Sequence, residues 1–422
     1  MFSTIFKYEL KYWFRNASFY IYVLLFLVIS ILLSAASAGI FESSTATNGT
    51  SIIVNSPMRI GNMFSTLAAI IFFLIPSIIG FSVYRDYKSE MHTILYSYPF
   101  TKANYLFAKF FSSVLIVLII VLFVGIGLSI GFSLPGTNPI LLGEFSIMPY
   151  LQTYLIYIVP NILLYGAIIF AVVVFTRKIV AGFTAFIILL ILQSTLMALF
   201  SNPEFAFITG LLDPSGISAT EYYIKYWTVS KQNSVAVPVK ELIIYNRFLW
   251  MGIAMLVFGF VYKYFKFNQQ PISLSFRKQK GERLIKSNFG SIMRVQLPKV
   301  NYDFSFKQYL KTTWKLSNID FKYILKSIPF IIILLGITIS LLLNYFEGSK
   351  FRGTSRLPVT WRMLDYGEAF QLAVIICTFL YAGMLNQRTK TSNINMLVDS
   401  MPIPNWTLLL SKLIALFKMQ WI

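Results

Sequence analysis

Long apolar runs separated by short charged stretches constrain this chain more than any other feature. Six runs within the first 265 residues each reach about 20 residues, the length that a helix needs to cross the hydrocarbon core of a bilayer. In chain order they are Phe19–Ile40, Met63–Val83, Tyr105–Leu134, Tyr150–Phe175, Ile179–Phe200 and Leu242–Phe265. Because lipid offers the backbone no hydrogen bonds, these runs predict an all-α fold, a polytopic transmembrane helical bundle.

The composition and the location of the charge agree with a membrane protein. Of the 422 residues, 57% are hydrophobic and 12% are charged, against about 25% charged in a soluble domain. The net charge of +20 comes mainly from Lys and Arg residues between and beside the apolar runs. That distribution is typical of cytoplasmic loops and not of a nucleic-acid surface. We therefore expect a lipid bilayer as a partner and no nucleic acid.

Two polar stretches, Tyr84–Lys109 and Leu385–Lys412, resemble each other when the first is shifted by 303 positions. The shift aligns Arg85 with Arg388, Ile94 with Leu397, Leu95 with Val398, Pro99 with Pro402 and Lys109 with Lys412. A shift of 311 similarly aligns Glu9 with Asp320, Tyr12 with Tyr323 and Phe19 with Phe330. The chain therefore contains an internal repeat.

This repeat divides the chain into three predicted parts. Residues 1–265 form a six-span unit, 266–322 a basic cytoplasmic linker and 323–422 an incomplete second unit. The linker is expected to lie on anionic lipid headgroups. The second unit holds spans at about 327–346 and 369–385 and the start of another at Leu408. We expect the chain to be a fragment of a longer product or of a truncated gene.

Basic residues set the predicted orientation. Lys7, Lys11 and Arg15 precede a first run that is longer than a signal-peptide core, so we expect a retained helix with a cytoplasmic N-terminus. Alternation of the spans then places both repeated stretches in the cytoplasm. The same alternation places residues 201–241 outside, where their aromatic residues favour an ordered segment at the membrane surface.

Apolar residues of both repeated stretches follow a helical spacing. They are Met91, Ile94, Leu95 and Tyr98 in the first stretch, and Ile394, Leu397, Val398 and Met401 in the second. The spacing predicts a short helix in the headgroup plane, ended by Pro99 or Pro402, with one face toward the bilayer and another toward a cytoplasmic partner. A plain connecting loop is the alternative interpretation.

Gly127 and Gly131 of the third apolar run have the spacing that permits close contact between membrane helices. Ordinary glycine content of a membrane helix is the alternative, and the pattern alone favours it.

Motifs for catalysis or for metal binding are absent from the sequence. It contains neither a phosphate-binding Gly-x-x-x-x-Gly-Lys-Ser/Thr loop nor a His-Glu-x-x-His motif. His92 is the single histidine and Cys377 the single cysteine, so zinc sites and Cys-His or Ser-His-Asp catalysis are not expected. Carboxylates are nearly absent from the spans, which argues against an ion-coupled carrier. We expect a chain that is not an enzyme and holds no cofactor of its own.

The first repeated stretch resembles the cytoplasmic coupling loop of type-2 ABC transporter permeases. The likeness lies in Arg85, Glu90, Ile94–Leu95, Ser97–Pro99, Tyr105 and Lys109. In that family the loop docks on a separate ATPase subunit, which binds the ATP, and passes its motion to the spans. The resemblance implies ATPase-coupling roles for Arg85, Glu90, Ile94, Leu95, Pro99, Arg388, Leu397, Val398 and Pro402. It also implies a second permease half or chain as a partner. Asn393 replaces Glu90 in the second copy, which weakens the expected contact there.

A narrower likeness concerns large bacterial permeases in which two permease halves precede a zinc aminopeptidase domain. The residues that carry it are Asp213-Pro-Ser-Gly, Tyr226-Trp-Thr, Asn233 and Asn246-Arg-Phe-Leu-Trp. It implies a bacterial inner membrane and a peptidase domain that these 422 residues do not contain. The alternative function is therefore a membrane anchor for proteolysis encoded downstream of residue 422.

Overall fold

A computed structural model describes residues 1–41, 53–200, 203–267, 303–348, 350–351, 354–355, 360–392 and 394–421. Most of the basic linker and Asn393, the counterpart of Glu90, lie outside the described residues. The chain divides into two compact units, residues 1–271 with 336–359 and residues 272–335 with 360–422.

The chain opens with an amphipathic helix, α1 (Phe2–Arg15), that buries Glu9 and Trp13. Asn16 then leaves the helical conformation and caps the next helix, α2 (Ala17–Ser37), because its side-chain oxygen accepts the Ser18 N–H at 3.1 Å. The predicted first span is therefore preceded by a separate helix with a polar and an apolar face.

The first unit continues as a series of helices. They are α3 (Pro57–Phe72), a π-helical turn Pro76–Gly80, α4 (Phe81–Lys88), α5 (His92–Leu95), α6 (Lys102–Phe132), a 3-10 turn Pro139–Leu141, α7 (Met148–Gln152), a second π-helical segment Thr153–Ile158, α8 (Val159–Thr176), α9 (Ile179–Leu199), a 3-10 turn Pro203–Phe205, α10 (Ala206–Leu212), α11 (Ile217–Ile224), α12 (Val229–Ser234) and α13 (Glu241–Tyr264).

Six helical segments of the described residues are long and apolar enough to cross a membrane. They are Ala17–Ser37, Pro57–Lys88, Lys102–Phe132, Met148–Thr176, Ile179–Met197 and Glu241–Tyr264. Each overlaps one of the six predicted runs, so the polytopic transmembrane helical bundle is confirmed. The chain is a multi-pass membrane protein.

The second span passes through a wider turn at Pro76. Proline has no N–H to donate, and its ring clashes with the preceding turn of a regular α-helix. The π-helical geometry of Pro76–Gly80 accommodates that ring, and a similar segment, Thr153–Ile158, precedes Pro160 in the fourth span. Both prolines are therefore kept inside membrane spans.

Helices α2 and α6 pack with their backbones close together at Gly127 and Gly131. A β-carbon on Gly127 would lie 2.8 Å from the carbonyl oxygen of Leu27, and one on Gly131 would lie 2.5 Å from that of Ile31. The facing Ser34 hydroxyl turns back to donate to the Ser30 carbonyl oxygen at 2.8 Å. The close-contact interpretation of the two glycines is thus correct, and the favoured alternative of ordinary glycine content is wrong.

From residue 303 onward the described chain continues with further helices. They are α14 (Phe306–Leu325), α15 (Ile328–Gly348), α16 (Thr360–Thr391), α17 (Asn395–Asp399) and α18 (Asn405–Gln420). Among the described residues the strands are limited to Lys350–Phe351 and Thr354–Ser355, paired antiparallel, so the all-α class is confirmed.

The start of the second half repeats the arrangement of the first. The axes of α14 and of the first part of α15 differ in direction by 67°. Helix α14 precedes an apolar helix, as α1 precedes α2. Residues 306–322, which the sequence assigns to the linker, form most of α14. The domain bounds given above stay a prediction.

Candidate functional site

Four charged side chains, three of them buried, meet where α1, α4 and α6 contact one another. Glu9 Oε1 lies 2.7 Å from Arg85 Nη2 and 2.7 Å from Lys109 Nζ. The same ammonium group lies 2.8 Å from Asp86 Oδ2. Two cations and two carboxylates thus balance each other, which a buried charge requires because an unpaired ion is strongly destabilising there. We call Glu9, Arg85, Asp86 and Lys109 the first ion cluster.

Neutral groups complete the first ion cluster. Lys109 Nζ also donates to the Ser82 carbonyl oxygen at 2.8 Å, and the Tyr105 hydroxyl donates to Asp86 Oδ2 at 2.9 Å. The Arg85 guanidinium carbon lies 3.9 Å from the ring centre of Tyr12, a cation–π contact. The end of the second span is therefore tied to α1 on one side and to α6 on the other.

Helical spacing explains why these side chains converge. Glu9 and Trp13, one turn apart, form the buried face of α1. Tyr105 and Lys109 are likewise four residues apart on α6, and Ser82 and Asp86 are four apart on α4. Helices α4 and α6 therefore each present two polar side chains to the site, and α1 presents Glu9.

A related cluster occupies the second half. Arg388 Nη1 lies 2.5 Å from Asp320 Oδ1, and its guanidinium carbon lies 4.4 Å from the ring centre of Tyr323. The two shifts found in the sequence align these three residues with Arg85, Glu9 and Tyr12. We call Asp320, Tyr323 and Arg388 the second ion cluster.

The second ion cluster is smaller and more exposed than the first. Its arginine and carboxylate side chains are 29% and 15% exposed, against 17% and 2% for Arg85 and Glu9. The position of Asp86 is taken by Thr389. Lys412, aligned with Lys109, makes no direct ion pair with any residue that the structure describes. The two halves thus repeat one arrangement with unequal burial.

The first loop, residues 89–101, presents its apolar residues at the surface. Helix α5 is a single turn, His92–Leu95, and is therefore shorter than the helix predicted from the spacing of Met91 to Tyr98. Ile94 is 56% exposed, and Leu95 is half-buried. Glu90 and Pro99 are exposed, and Glu90 holds a left-handed backbone with a φ of 55°. The loop thus offers an uncovered apolar surface beside a carboxylate.

The second loop, residues 392–404, repeats this exposure. Leu397 is 64% exposed, Val398 is half-buried and Pro402 is exposed. The residues aligned with Met91 and Tyr98, Ile394 and Met401, are 44% and 43% exposed. Both loops therefore keep the same alternation of exposed and half-buried apolar side chains.

The nine residues predicted to couple to an ATPase thus divide into two groups. Arg85 and Arg388 belong to the ion clusters, and the other seven lie on the two loops. Asp86 and the burial of Lys109 were not predicted. A lysine at the start of an apolar run is nevertheless a usable signal, because a buried cation needs a carboxylate partner.

Contacts between aromatic residues hold the first loop against the end of the second span. The Tyr96 hydroxyl shares a hydrogen bond of 2.5 Å with that of Tyr87, and its ring centre lies 4.8 Å from that of Phe267. Burial raises the pKa of Tyr96 well above its usual range, so this phenol stays protonated. The loop is held to the end of the second span through Tyr96 as well as through its chain connections.

A separate polar cluster holds the segment between α9 and α13. The Asp213 carboxylate accepts hydrogen bonds from the Ser215 hydroxyl at 2.7 Å and from the Ser218 N–H at 2.9 Å. The Asn246 amide donates to the carbonyl oxygens of Gly210 and Asp213, at 2.7 and 2.8 Å. The predicted ordered segment is thus fixed to α13 by the Asp213 and Asn246 motifs quoted above.

Arg247 of α13 completes this polar cluster. Its guanidinium donates to Asn161 Oδ1 at 3.1 Å and to the Pro214 carbonyl oxygen at 3.0 Å. Gly216 faces it with a φ of 78°, and a β-carbon there would lie 2.7 Å from the Arg247 guanidinium carbon. These hydrogen bonds fix Arg247 between α8 and the turn before α11, so its role here is structural.

No protein-family model matches the chain, and no curated protein matches it significantly. Among the described residues no group of three His, Cys, Asp or Glu side chains is placed to hold a metal ion.

Proposed function

We propose that this chain is the membrane-spanning permease subunit of an ATP-driven ABC transporter. A separate cytoplasmic ATPase, which binds the ATP, docks on loops 84–109 and 385–412. The observation that carries the proposal is a repeated assembly. In each half, an exposed apolar loop follows an arginine that pairs with a carboxylate on the helix preceding the first span of that half.

This assembly suits the transmission of motion. The first loop ends in α6, whose Lys109 is bound to Glu9 of α1. Helix α6 in turn contacts α2 through Gly127 and Gly131. Since packed interiors are stiff, a displacement of the loop by a partner moves α1 and α6 with it. A loop without buried ion pairs would absorb the same displacement itself.

The charge distribution supports the orientation of the chain in the proposed setting, and the family resemblance implies the rest of it. The N-terminus is cytoplasmic, the membrane is a bacterial inner membrane, and a second permease half or chain completes the transport path. Lys7, Lys11 and Arg15 near the N-terminus support this orientation through the positive-inside rule.

The test compares two exposed isoleucines, one in the loop that precedes α6 and one in the loop that follows it. Ile94, in the preceding loop, is 56% exposed, and Ile140, in the following loop, is 86% exposed. The tagged full chain is purified from its native membrane, and the ATP hydrolysis that co-purifies with it is measured. Ile94→Asp is expected to reduce that hydrolysis about tenfold, as loss of a central apolar contact does, whereas Ile140→Asp leaves it unchanged. Equal hydrolysis in both variants overturns the proposal.

A further inference from the structure

A cavity of about 110 Å³ lies at the end of the second span opposite to Arg85. It opens between the first turns of α3, the π-helical segment Thr153–Ile158 and α11. Its polar lining consists of Asn62, Ser65, Thr153, Tyr157, Thr220 and Glu221. The first ion cluster and the polar cluster of Arg247 do not line it, so the cavity is a separate feature.

A buried hydroxyl in this cavity lacks a protein partner. Thr153 is 3% exposed, lines the cavity, and donates no side-chain hydrogen bond to any residue that the structure describes. Buried polar groups are almost always hydrogen-bonded to protein, water or ligand. Tyr157 and Thr220 share a hydrogen bond of 2.7 Å, and Thr220 also donates to the Gly216 carbonyl oxygen at 3.2 Å, so each hydroxyl oxygen keeps a lone pair. The site thus offers hydroxyl oxygens that can accept a further hydrogen bond.

The charge of the cavity comes from Glu221, an exposed residue and the one carboxylate among the described residues that line it. No Lys or Arg of the described residues lines the cavity. Four apolar residues, Met58, Ile217, Ile224 and Val237, line the cavity beside these polar groups and form its apolar wall. A carboxylate, several hydroxyl acceptors and an apolar wall together fit a small cation that carries N–H donors and a short carbon chain.

We propose that this cavity binds the primary ammonium group of a two-carbon amino alcohol, free in solution or as the headgroup of a phospholipid. The ammonium lies against Glu221 and donates to the hydroxyls of Thr153 and Ser65. The carbon chain rests on the apolar wall. The volume suits this ligand, since a cavity of about 150 Å³ holds a benzene molecule. The π-helical turn that carries Thr153 is a form found often at functional sites. This binding does not depend on the transport function proposed above.

The soluble arm of the test uses ethanolamine and its uncharged analogue ethylene glycol. Saturation-transfer NMR measures binding of each to the full chain in phosphatidylcholine nanodiscs. Ethanolamine is expected to bind at least tenfold more tightly than ethylene glycol, and Glu221→Gln to remove that preference. Glu241→Gln, which changes an exposed carboxylate outside the cavity, is expected to keep it. Equal binding of both probes, or an undiminished preference in Glu221→Gln, overturns the proposal for a soluble amine.

The lipid arm uses native mass spectrometry of the same chain in mixed phosphatidylethanolamine and phosphatidylcholine. Retention of phosphatidylethanolamine by the wild type and by Glu241→Gln, but not by Glu221→Gln, supports the headgroup as the source. Thermal unfolding shows that each variant is folded. If neither ethanolamine nor phosphatidylethanolamine distinguishes Glu221→Gln from the wild type, the cavity holds water only and the proposal is wrong.

Discussion

Lys109 Nζ lies 2.7 Å from Glu9 Oε1, and the two side chains are only 3% and 2% exposed. The residues are 100 positions apart in the sequence and join α1 to α6. Trp13, one turn after Glu9, is buried in the same hydrophobic core as residues of α6. The ion pair and this apolar packing together fix the N-terminal helix to the bundle.

Removing the ammonium group is expected to be strongly destabilising. Lys109→Met leaves Glu9 and Asp86 facing Arg85 alone, and breaking a buried pair costs about 3–5 kcal/mol. Lys88→Met, a change at an exposed lysine at the end of the second span, is expected to fall within about 0.5 kcal/mol of the wild type. Chemical unfolding in detergent micelles measures both. A similar unfolding midpoint for the two variants would show that the first ion cluster contributes nothing to stability.

The two arginines are expected to differ in their contribution to stability. Arg85→Ala leaves the almost fully buried Glu9 with one partner fewer, whereas Arg388→Ala affects a pair that is 29% and 15% exposed. We expect a loss of about 3 kcal/mol for the first and of about 1 kcal/mol or less for the second. Double-mutant cycles with Glu9→Gln and Asp320→Asn isolate each pair. Coupling energies of equal size would contradict the structural difference between the halves.

The contact between α2 and α6 predicts a steric effect at Gly131. Gly131→Ala places a β-carbon 2.5 Å from the Ile31 carbonyl oxygen, so the helices must separate. We expect a loss of about 1–3 kcal/mol, typical of overpacking. Gly252→Ala is the matched control, because nothing lies within 4 Å of a β-carbon there. That variant should be neutral or stabilised by up to about 1 kcal/mol. Thermal unfolding of both variants tests the contact.

Glu221 predicts a dependence of stability on pH. Burial, and to a lesser extent the charge of Asp213, raise the pKa of Glu221 above its ordinary value of 4.5. A raised pKa in the folded state means that this group favours folding below pH 4.5, and that the benefit is lost as the pH rises through the folded pKa. Glu221→Gln should therefore gain stability relative to the wild type as the pH is raised from 4 to 7. Unfolding midpoints across that range, with Glu241→Gln as the control, show whether the gain is specific.

The spans could be read from the sequence because hydropathy is a local property. Each apolar run identifies its own helix, whatever it packs against. The pairing of Arg85 with Glu9 could not be read in this way, since it depends on how α1 folds back onto α4. The repeat nevertheless gave an indication of this ion pair, because the shifts align Glu9 with Asp320 and Arg85 with Arg388.

Other features depend on contacts that no local pattern reports. The glycine spacing in α6 is ambiguous until Ser30 and Ser34 are seen to face it. The cavity arises from three segments that are distant in the sequence, and Thr153 is one of many threonines until its neighbours are known. Sequence patterns identified which helices exist, whereas the sites formed where the helices meet.

The π-helical turn at Pro76–Gly80 sets the rotational phase between the two ends of the second span. A regular α-helix advances about 100° per residue, so one extra residue in a turn rotates everything beyond it by roughly a quarter of a revolution. With that offset in place, Arg85 and Asp86 contact Glu9 and Lys109, while Ser65 and Asn62 line the cavity at the other end. Deleting one residue from this turn would misalign one end against the other without altering a single side chain at either.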